Sequence, residues 1–461
     1  MKYRTFFRVF SLIISIIMIA SVVVGCSQKT DKSTDSTSTI TSSDSSSPST
    51  TLDENPDSPS IKNLTEIPDV TIEALILADA EPDLPGQYFG EFMKRYPSIK
   101  VDLQLITSGG TIAAIQPRVA ANNLPDIFHG GSSEYFIKLA EEGWLMDIGD
   151  LECFQNMSES MKAVCTSPSG IRFNIPPADG LVGMFCNMDL FKKAGLEVPK
   201  TWDEFIEVCK AFKNKGIVAL NLGGGHKSSV AHFLACTGIT YNITKNSPEK
   251  INEFINYEYD FQSKEFMDFL KKIQLLIDIN PFPEGYLGMD YNTANAYFIN
   301  GNSAMYIQGT WFCADALYND FECIFTTAPW NNTIEEAGYI SIPETGMLFS
   351  NKTSRERKIA AKLAAEFIMG DGYYIIQNRR ACIPPYPVDK YPKGVKLDER
   401  IVSALSEAES KGLTTYTHIF QYLPSVIYSE LPALIQEMLS GQSTAEQVAA
   451  SLIEIQRTEK P

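Results

Sequence analysis

The alternation of short apolar runs with amphipathic segments most constrains what this chain folds into. From about residue 70 the apolar periodicity switches repeatedly between two residues and about 3.6 residues. The predicted elements are a strand at 71–77 (TIEALIL), a helix at 86–97, a strand at 101–106 (VDLQLI), a helix at 112–123 and a strand beginning at 124–128 (LPDIF). Strands that alternate with helices predict a largely parallel α/β sheet.

Further helices are marked by their ends. Thr201 and Glu204 have the spacing of a capping box, and Gly216 predicts where that helix stops. Further helices are predicted at 358–369, at 432–441, and after Ser443 with Glu446 three residues on.

The first 60 residues have a different character. A basic start precedes an apolar run from Val9 to Val24, which is the layout of a secretory signal and is short for a membrane span. The run ends in Val-Val-Gly-Cys, which resembles a bacterial lipobox. The resemblance implies a signal peptide over 1–25, cleavage before Cys26, and lipids on Cys26 that anchor the chain to the outer face of the bacterial membrane.

The segment after Cys26 predicts a flexible tether. Residues 27–60 contain 19 Ser or Thr among 34, and such a stretch cannot bury enough apolar surface to order itself. We expect the lipidated cysteine and this tether to occupy 26–68. The formal charge of −17 argues against nucleic acid as a partner, because nucleic acid needs a positive face.

Eight cysteines follow Cys26, with no CxxC pair and no zinc-ligand spacing. Cys209 lies in the apolar run FIEVCKAF. Buried free thiols are the favoured interpretation, and a disulfide framework is the alternative.

Three segments together resemble the bacterial extracellular solute-binding proteins of sugar-type ABC importers, the group that includes maltose-binding protein. They are LPDIFHGGSSEYFIKLAEEGWLMDI (124–148), GMFCNMDLFKKAGLEVPKTWDEF (183–205) and YFINGNSAMYIQGTWF (297–312). Met188 stands where the family pattern has Lys.

The resemblance implies an α/β fold of two lobes, of the type II periplasmic-binding-protein or Venus-flytrap kind, which closes on a ligand. We expect one lobe over 69–180 and 345–385, and the other over 181–344 and 386–461. The expected crossings lie near Pro177–Gly183, Ile340–Gly346 and Pro384–Val388, which glycine or proline marks.

A sugar site needs aromatic rings for the sugar faces and polar groups for the hydroxyls. Trp311 follows Gly309 in the segment that presents a stacking Trp in relatives, and Trp330 lies in a loop that could line the cleft. Trp144 and Trp202 occupy helix-packing positions, which predicts core roles for both.

Polar candidates follow the predicted strands or lie at the crossings, since ligands of open α/β sheets bind at strand ends. They are Asp79 and Glu81 after the first strand, His129, Ser133, Glu134 and Tyr135 after LPDIF, His226 in a second-lobe loop, and Asp179 and Glu344 at crossings. For each carboxylate, a solvated surface acid is the alternative.

These features predict a monomeric binding protein, not an enzyme, which captures a carbohydrate and delivers it to the permease of an ABC importer. No cofactor or metal is expected: the four His lack metal spacing, and neither HExxH nor GxSxG occurs. The alternatives are a two-lobed receptor for another solute or a peptide that feeds a sensor, and a secreted glycosidase with two carboxylates.

Overall fold

The computed structural model describes residues 58–62, 64–78, 82–106, 110–313, 315–380 and 382–460. The predicted signal peptide, Cys26 and most of the predicted tether lie outside these residues, as do Asp79 and Glu81.

The strands form two sheets. In chain order they are β1 (Val70–Leu77), β2 (Ile99–Ile106), β3 (Ile127–Gly130), β4 (Asp179–Asn187), β5 (Val218–Asn221), β6 (Ser303–Gly309), β7 (Cys323–Thr326), β8 (Gly338–Pro343), β9 (Gly346–Phe349) and β10 (Thr414–Thr417). The four-stranded sheet has the order β2-β1-β3-β9, and the larger sheet has the order β10-β8-β4-β6-β5 with β7 also paired to β4.

Helices cover both sheets. The α-helices are α1 (Leu84–Arg95), α2 (Gly110–Ala120), α3 (Glu134–Glu141), α4 (Glu152–Gln155), α5 (Glu159–Val164), α6 (Met188–Ala194), α7 (Trp202–Asn214), α8 (Lys227–Ser229), α9 (Thr237–Ile239), α10 (Pro248–Ile255), α11 (Lys264–Ile279), α12 (Tyr291–Ile299), α13 (Arg355–Met369), α14 (Tyr373–Arg380), α15 (Glu399–Lys411), α16 (Ser425–Leu439) and α17 (Ala445–Glu459). Two π-helical segments, Val230–Cys236 and Thr240–Thr244, interrupt the helical stretch that begins with α8. In the described part of the chain, no helix combines the length and the apolar character needed to cross a membrane.

The prediction of largely parallel sheets is wrong for the larger sheet. β1 pairs in parallel with β2 and β3, as the alternation of strands and helices predicted. β4, however, pairs antiparallel with β6, β7 and β8, and β9 pairs antiparallel with β3. The physical reason is that β4 and β9 enter their sheets directly from the other sheet, without the crossover helix that makes neighbouring strands parallel.

Each sheet is packed on both faces, because alternate residues of a strand point to opposite sides. In the smaller sheet, Ile72 and Ile76 face one buried cluster and Leu75 faces another. In the larger sheet, Val182 and Phe185 divide in the same way. The two sheets therefore have separate cores. We call the part of the chain around β1, β2, β3 and β9 the first lobe, and the part around β4 to β8 and β10 the second lobe.

The lobe boundaries stay a prediction, and core packing argues for a change in one of them. Tyr386 is buried in the first-lobe core, and Tyr391 and Val395 pack against that core. Leu397 packs in the second lobe. We therefore propose that the last passage between lobes follows Val395 instead of lying near Pro384–Val388.

Two helix starts differ from the predicted capping. The Thr201 hydroxyl accepts a bond from the Glu204 backbone N–H, but the Glu204 carboxylate accepts from the Lys200 N–H at 2.7 Å, so the reciprocal box does not form. The complete box lies on α17, where Thr444 pairs with Gln447. The Ser443–Glu446 prediction was thus wrong by one residue, because two adjacent pairs have the same spacing.

The eight cysteines from Cys153 to Cys382 are free thiols, and all but Cys323 are buried. Cys209 has the core position that its apolar context predicted, and burial raises its pKa.

The first described residues are held against the first lobe. Lys362 is fully buried on α13, where its ammonium donates to Asp150 at 2.7 Å, to the Ser58 hydroxyl at 2.8 Å and to the Pro59 carbonyl at 2.9 Å. The predicted tether extended to residue 68, but the chain is already bound to the body at Ser58.

We expect Lys362→Met to lower the free energy of unfolding by about 2–3 kcal/mol, because it removes charged hydrogen bonds from a buried position. Chemical denaturation measures the change. Lys94→Met is the matched control, since the Lys94–Glu91 pair is exposed and contributes little. Equal stability of the two variants would contradict this account of Lys362.

Candidate functional site

The two lobes meet where three chain segments run side by side. The Glu344 N–H donates to the Ala178 carbonyl at 3.1 Å, and the Asp179 N–H donates to the Ile383 carbonyl at 2.9 Å. Asp179 is also paired with Pro343 in the larger sheet. We take the space between the lobes at this junction as the candidate site and call it the cleft. The ends of β3 and β9 lie on its first-lobe side, and β4 and β6 lie on its second-lobe side.

Trp311 lies beside the junction, and two glycines, Gly180 of β4 and Gly309 of β6, let its ring lie flat on the strands. A Cβ at Gly309 would be 2.2 Å from the indole ring, and a Cβ at Gly180 would be 2.8 Å from it. The ring remains partly exposed. One face of the indole therefore covers the backbone of β4 and β6, an arrangement that side chains at either glycine would prevent.

A series of buried side-chain hydrogen bonds fixes the Trp311 ring. Its indole N–H donates to the Gln308 side-chain oxygen at 3.1 Å. The Gln308 amide nitrogen donates to the Tyr306 hydroxyl at 3.1 Å, and that hydroxyl donates to the Asn295 side-chain oxygen at 3.0 Å. Since Gln308, Tyr306 and Asn295 are buried, this network holds the ring in one orientation.

Above the junction, the first lobe contributes small polar groups. Ser133 and Asn174 are buried, and the Ser133 hydroxyl and the Asn174 side-chain oxygen have no hydrogen-bond partner within the described part of the chain. Asn174 donates to the Ser132 hydroxyl at 3.1 Å, and its oxygen lies 2.1 Å from where a Cβ of Gly346 would be. Buried polar atoms without partners are costly, so this pair favours a site that a hydroxylated ligand completes.

His129 has a defined tautomer. Its Nδ1 accepts the Leu77 backbone N–H at 3.2 Å, which leaves the proton of the neutral ring on Nε2. Burial and the positive charge of Arg380 lower its pKa to about 3. His129 is therefore a neutral hydrogen-bond donor at ordinary pH.

The second lobe contributes an aromatic wall, formed by His232, Phe233, Phe420 and Tyr428. Phe420 lies 4.4 Å from Tyr428 and 4.8 Å from His232 between ring centres, and Phe233 lies 6.1 Å from Trp311. His232 and Phe233 belong to the π-helical segment Val230–Cys236, a kind of irregularity that is frequent at functional sites. The buried Nδ1 of His232 has no hydrogen-bond partner among the described residues, whereas its Nε2 is 3.2 Å from the Tyr428 hydroxyl.

Of the five predicted carboxylates, the three that lie in the described part of the chain each have a partner. Asp179 accepts from the Ser341 hydroxyl at 2.8 Å, and burial raises its pKa. Glu344 accepts from Arg380 at 2.6 Å. Glu134 accepts from the Ser425 backbone N–H at 2.7 Å.

Trp330 does not line the cleft, contrary to the sequence-based expectation. It is 1% exposed and stacks on Trp202, with ring centres 5.0 Å apart, in the second-lobe core. Trp202 is a core residue as predicted. The physical reason is that Lys272 covers this pair from outside, bonding the Trp330 carbonyl at 2.8 Å and lying over the Trp202 ring.

Tyr135 and His226 have local roles. Tyr135 packs against the first-lobe core beside Phe136. His226 caps α8 by accepting the Ser229 N–H at 3.3 Å, and its ring lies 5.6 Å from Tyr291.

Sequence reasoning missed Arg380, Asn174, Phe233 and Tyr428. Tyr428 had a weak signal, since it is an aromatic residue in the first turn of a helix that starts after Pro424. Asn174 stands in an apolar run just before a crossing, where an isolated amide is a second weak signal.

A cavity of about 730 Å³ lies elsewhere, on the first lobe between α1, α13, α14 and residues 390–395. The buried side-chain atoms that lack partners in the described chain do not belong to its lining. Its half-buried carboxylate, Glu366, already accepts the Cys153 N–H at 3.1 Å. Among the described residues there is also no acidic, His or Cys group suited to a metal ion.

A family model described as bacterial extracellular solute-binding protein matches residues 78–373. The "Multiple sugar-binding protein" of Streptococcus mutans is 23% identical over 48% of this chain and 52% of its own length. The melibiose/raffinose/stachyose-binding protein MelE of Bacillus subtilis is 24% identical over 44% of this chain and 48% of its own length. The chain thus spans about half the length of the curated relatives it matches.

The fold has solved counterparts. The structure of a sugar transporter from Bacillus licheniformis in complex with stachyose superimposes with a TM-score of 0.71 at 16% identity, covering 85% of this chain and all of that one. The two-lobed α/β fold expected from the sequence is confirmed.

We expect acid to destabilise the protein through its buried histidines. His418 is fully buried beside His232, and burial lowers its pKa to about 4. Below pH 6.5 the imidazole of His418 is protonated in the unfolded chain but stays neutral in the folded protein. The free energy of unfolding therefore falls as the pH falls from about 6.5 towards 4. At pH 5 this costs about 2 kcal/mol for His418 alone.

The check is urea unfolding of wild type and His418→Asn at pH 7.5 and pH 5. The variant should lose about 2 kcal/mol less than wild type between the two pH values, whatever its stability at pH 7.5. An identical loss in both proteins would show that His418 is not responsible.

Proposed function

Because the chain belongs to the bacterial extracellular solute-binding proteins, we propose that its cleft captures a carbohydrate, in particular an oligosaccharide, and delivers it to the permease of an ABC importer. The sugars named for the relatives support this ligand class. The predicted signal peptide, the lipobox-like sequence at Cys26 and the Ser/Thr-rich segment after it support the proposal that the chain is exported and anchored by lipid to the outer face of the membrane.

One observation carries the proposal. The cleft combines a flat, partly exposed indole at Trp311 with the unpartnered buried groups of Ser133, Asn174 and His232. A sugar ring offers C–H faces that pack on an indole and hydroxyls that both donate and accept. A hydroxylated ring would thus form hydrogen bonds with these buried polar groups, which cost free energy while they have no partner.

Charge supports an uncharged ligand of this kind. Among the described cleft residues, the carboxylates of Asp179, Glu344 and Glu134 are each hydrogen-bonded, Arg380 is paired with Glu344, and His129 is neutral at ordinary pH. A charged solute would need an unpaired opposite charge to offset its desolvation, and hydroxyls do not.

The mechanism is differential binding, without a covalent step. Ser133 and Asn174 lie on the first lobe, whereas Trp311 and His232 lie on the second. A ligand that touches both lobes binds the closed arrangement better than the open one and shifts the population by that difference in affinity. The closed lobes then form the surface that the permease recognises.

A thermal-shift screen of residues 58–461 tests the function. Raffinose, stachyose and other oligosaccharides are compared with monosaccharides, amino acids and short peptides. A selective rise in melting temperature with one saccharide class supports the proposal. A rise with a peptide or an amino acid alone refutes the carbohydrate assignment and favours a receptor for another solute.

We expect Trp311→Ala to weaken saccharide binding by about 10- to 100-fold, because the variant loses the stacking surface beside the junction. Isothermal titration calorimetry measures the change. Tyr374→Ala is the control, since Tyr374 is a half-exposed aromatic residue on the lining of the first-lobe cavity. An unchanged affinity in Trp311→Ala would place the sugar elsewhere.

Gly180→Ala should weaken binding by about 10-fold although Trp311 is retained, because the new methyl group displaces the ring. Gly86→Ala is the matched control, since a Cβ there meets no atom within 4 Å. Titration calorimetry and tryptophan fluorescence check the affinity and the ring environment together. Wild-type affinity in Gly180→Ala would contradict the packing of the Trp311 ring on Gly180.

A further inference from the structure

We infer that Glu134 is a positioning residue that stabilises the closed lobes by capping helix α16 from across the cleft, an inference that rests on the proposed function. The sequence had suggested a direct ligand contact for Glu134. The geometry points instead to an action through the second lobe.

The contact joins the two lobes. Glu134 begins α3, which packs on the first-lobe core through Phe136 and Leu139. Ser425 begins α16, which packs in the second-lobe core through Ile427 and Leu431. The 2.7 Å bond from the Ser425 N–H to the Glu134 carboxylate therefore exists only while the lobes are together.

The start of α16 lacks a cap of its own. The residue at the N-cap position is Pro424, which makes no side-chain capping bond. The first N–H groups of a helix have no partner within the helix, and its N-terminus attracts negative charge. The exposed carboxylate of Glu134 supplies both an acceptor and that charge.

The first turn of α16 also belongs to the candidate site. Tyr428 lies in this turn and contacts Phe420 and His232 in the aromatic wall. On the other side, Ser133 directly precedes Glu134 and has an unpartnered hydroxyl. Formation of the Glu134–Ser425 bond, which we call the latch, thus brings the groups of both lobes to the ligand in one step, and its loss favours the open form.

The test is a double-mutant cycle with Glu134→Ala and Ser425→Pro, read by the affinity for stachyose in titration calorimetry. Ser425→Pro deletes the donating N–H at a position where helices tolerate proline. Ser425→Ala is the matched control, since it keeps the N–H and removes only the hydroxyl. Glu142→Ala, an exposed acid paired with Lys138 just beyond the other end of α3, controls for charge.

We expect Glu134→Ala and Ser425→Pro each to weaken stachyose binding by about 3- to 10-fold, the range of a lost helix cap, and both controls to stay near wild type. In the Ser425→Pro background, Glu134→Ala should have little further effect. Equal effects of Glu134→Ala in both backgrounds would overturn the inference and make Glu134 a direct ligand contact. So would a Ser425→Ala variant as weak as Ser425→Pro.

A second readout separates this inference from the proposed function. Hydrogen exchange of the peptide spanning residues 424–431 is measured in the saccharide-free protein. Faster exchange in Glu134→Ala than in wild type and Glu142→Ala supports the latch, even if the screen finds no bound saccharide. Unchanged exchange overturns the latch, even if stachyose binds.

Discussion

Where the chain passes between its lobes, backbone hydrogen bonds hold separate segments side by side. Asp179 pairs with Pro343 and donates to the Ile383 carbonyl, and the Glu344 N–H donates to the Ala178 carbonyl. Segments joined in this way cannot slide past one another without breaking bonds that are buried. The lobes can therefore change their relation mainly by bending at the junction, which is the motion that a closing cleft needs.

The same junction sets the chemistry of the site. Because β4 enters the larger sheet directly from the crossing, Gly180 lies close to the end of β6, and the Trp311 ring fits over both strands. The buried chain from Trp311 through Gln308 to Asn295 then fixes the ring. The polar side chains on the first lobe, Ser133 and Asn174, are small and buried. They have little freedom to rearrange, so their positions favour a ligand with hydroxyl groups.

The sequence predicted those parts of the fold that depend on local pattern. The strands at 71–77 and 101–106, the helix stop at Gly216 and the core position of Trp202 follow from periodicity and turn chemistry, and all are present. The antiparallel pairing of β4 could not be predicted in this way, because it depends on a crossing between sheets and on no local propensity.

In the site, too, the features that depend on local sequence were predicted, and those that depend on distant segments were not. Trp311 was predicted from the distinctive segment that surrounds it, whereas the burial of Trp330 depends on Lys272, 58 residues away in sequence. The roles of Arg380 and Tyr428 likewise depend on partners from distant segments. A carboxylate such as Glu134 has no sequence signal that separates a ligand contact from a bond to a helix in the other lobe.

A crystal structure of the protein grown with stachyose would show directly whether the cleft binds the sugar. Our account predicts a sugar ring against the exposed face of Trp311, with hydroxyls at the Ser133 and Asn174 oxygens and the lobes closed around it. Stachyose bound in the first-lobe cavity near Glu366, with the cleft empty, would contradict the account.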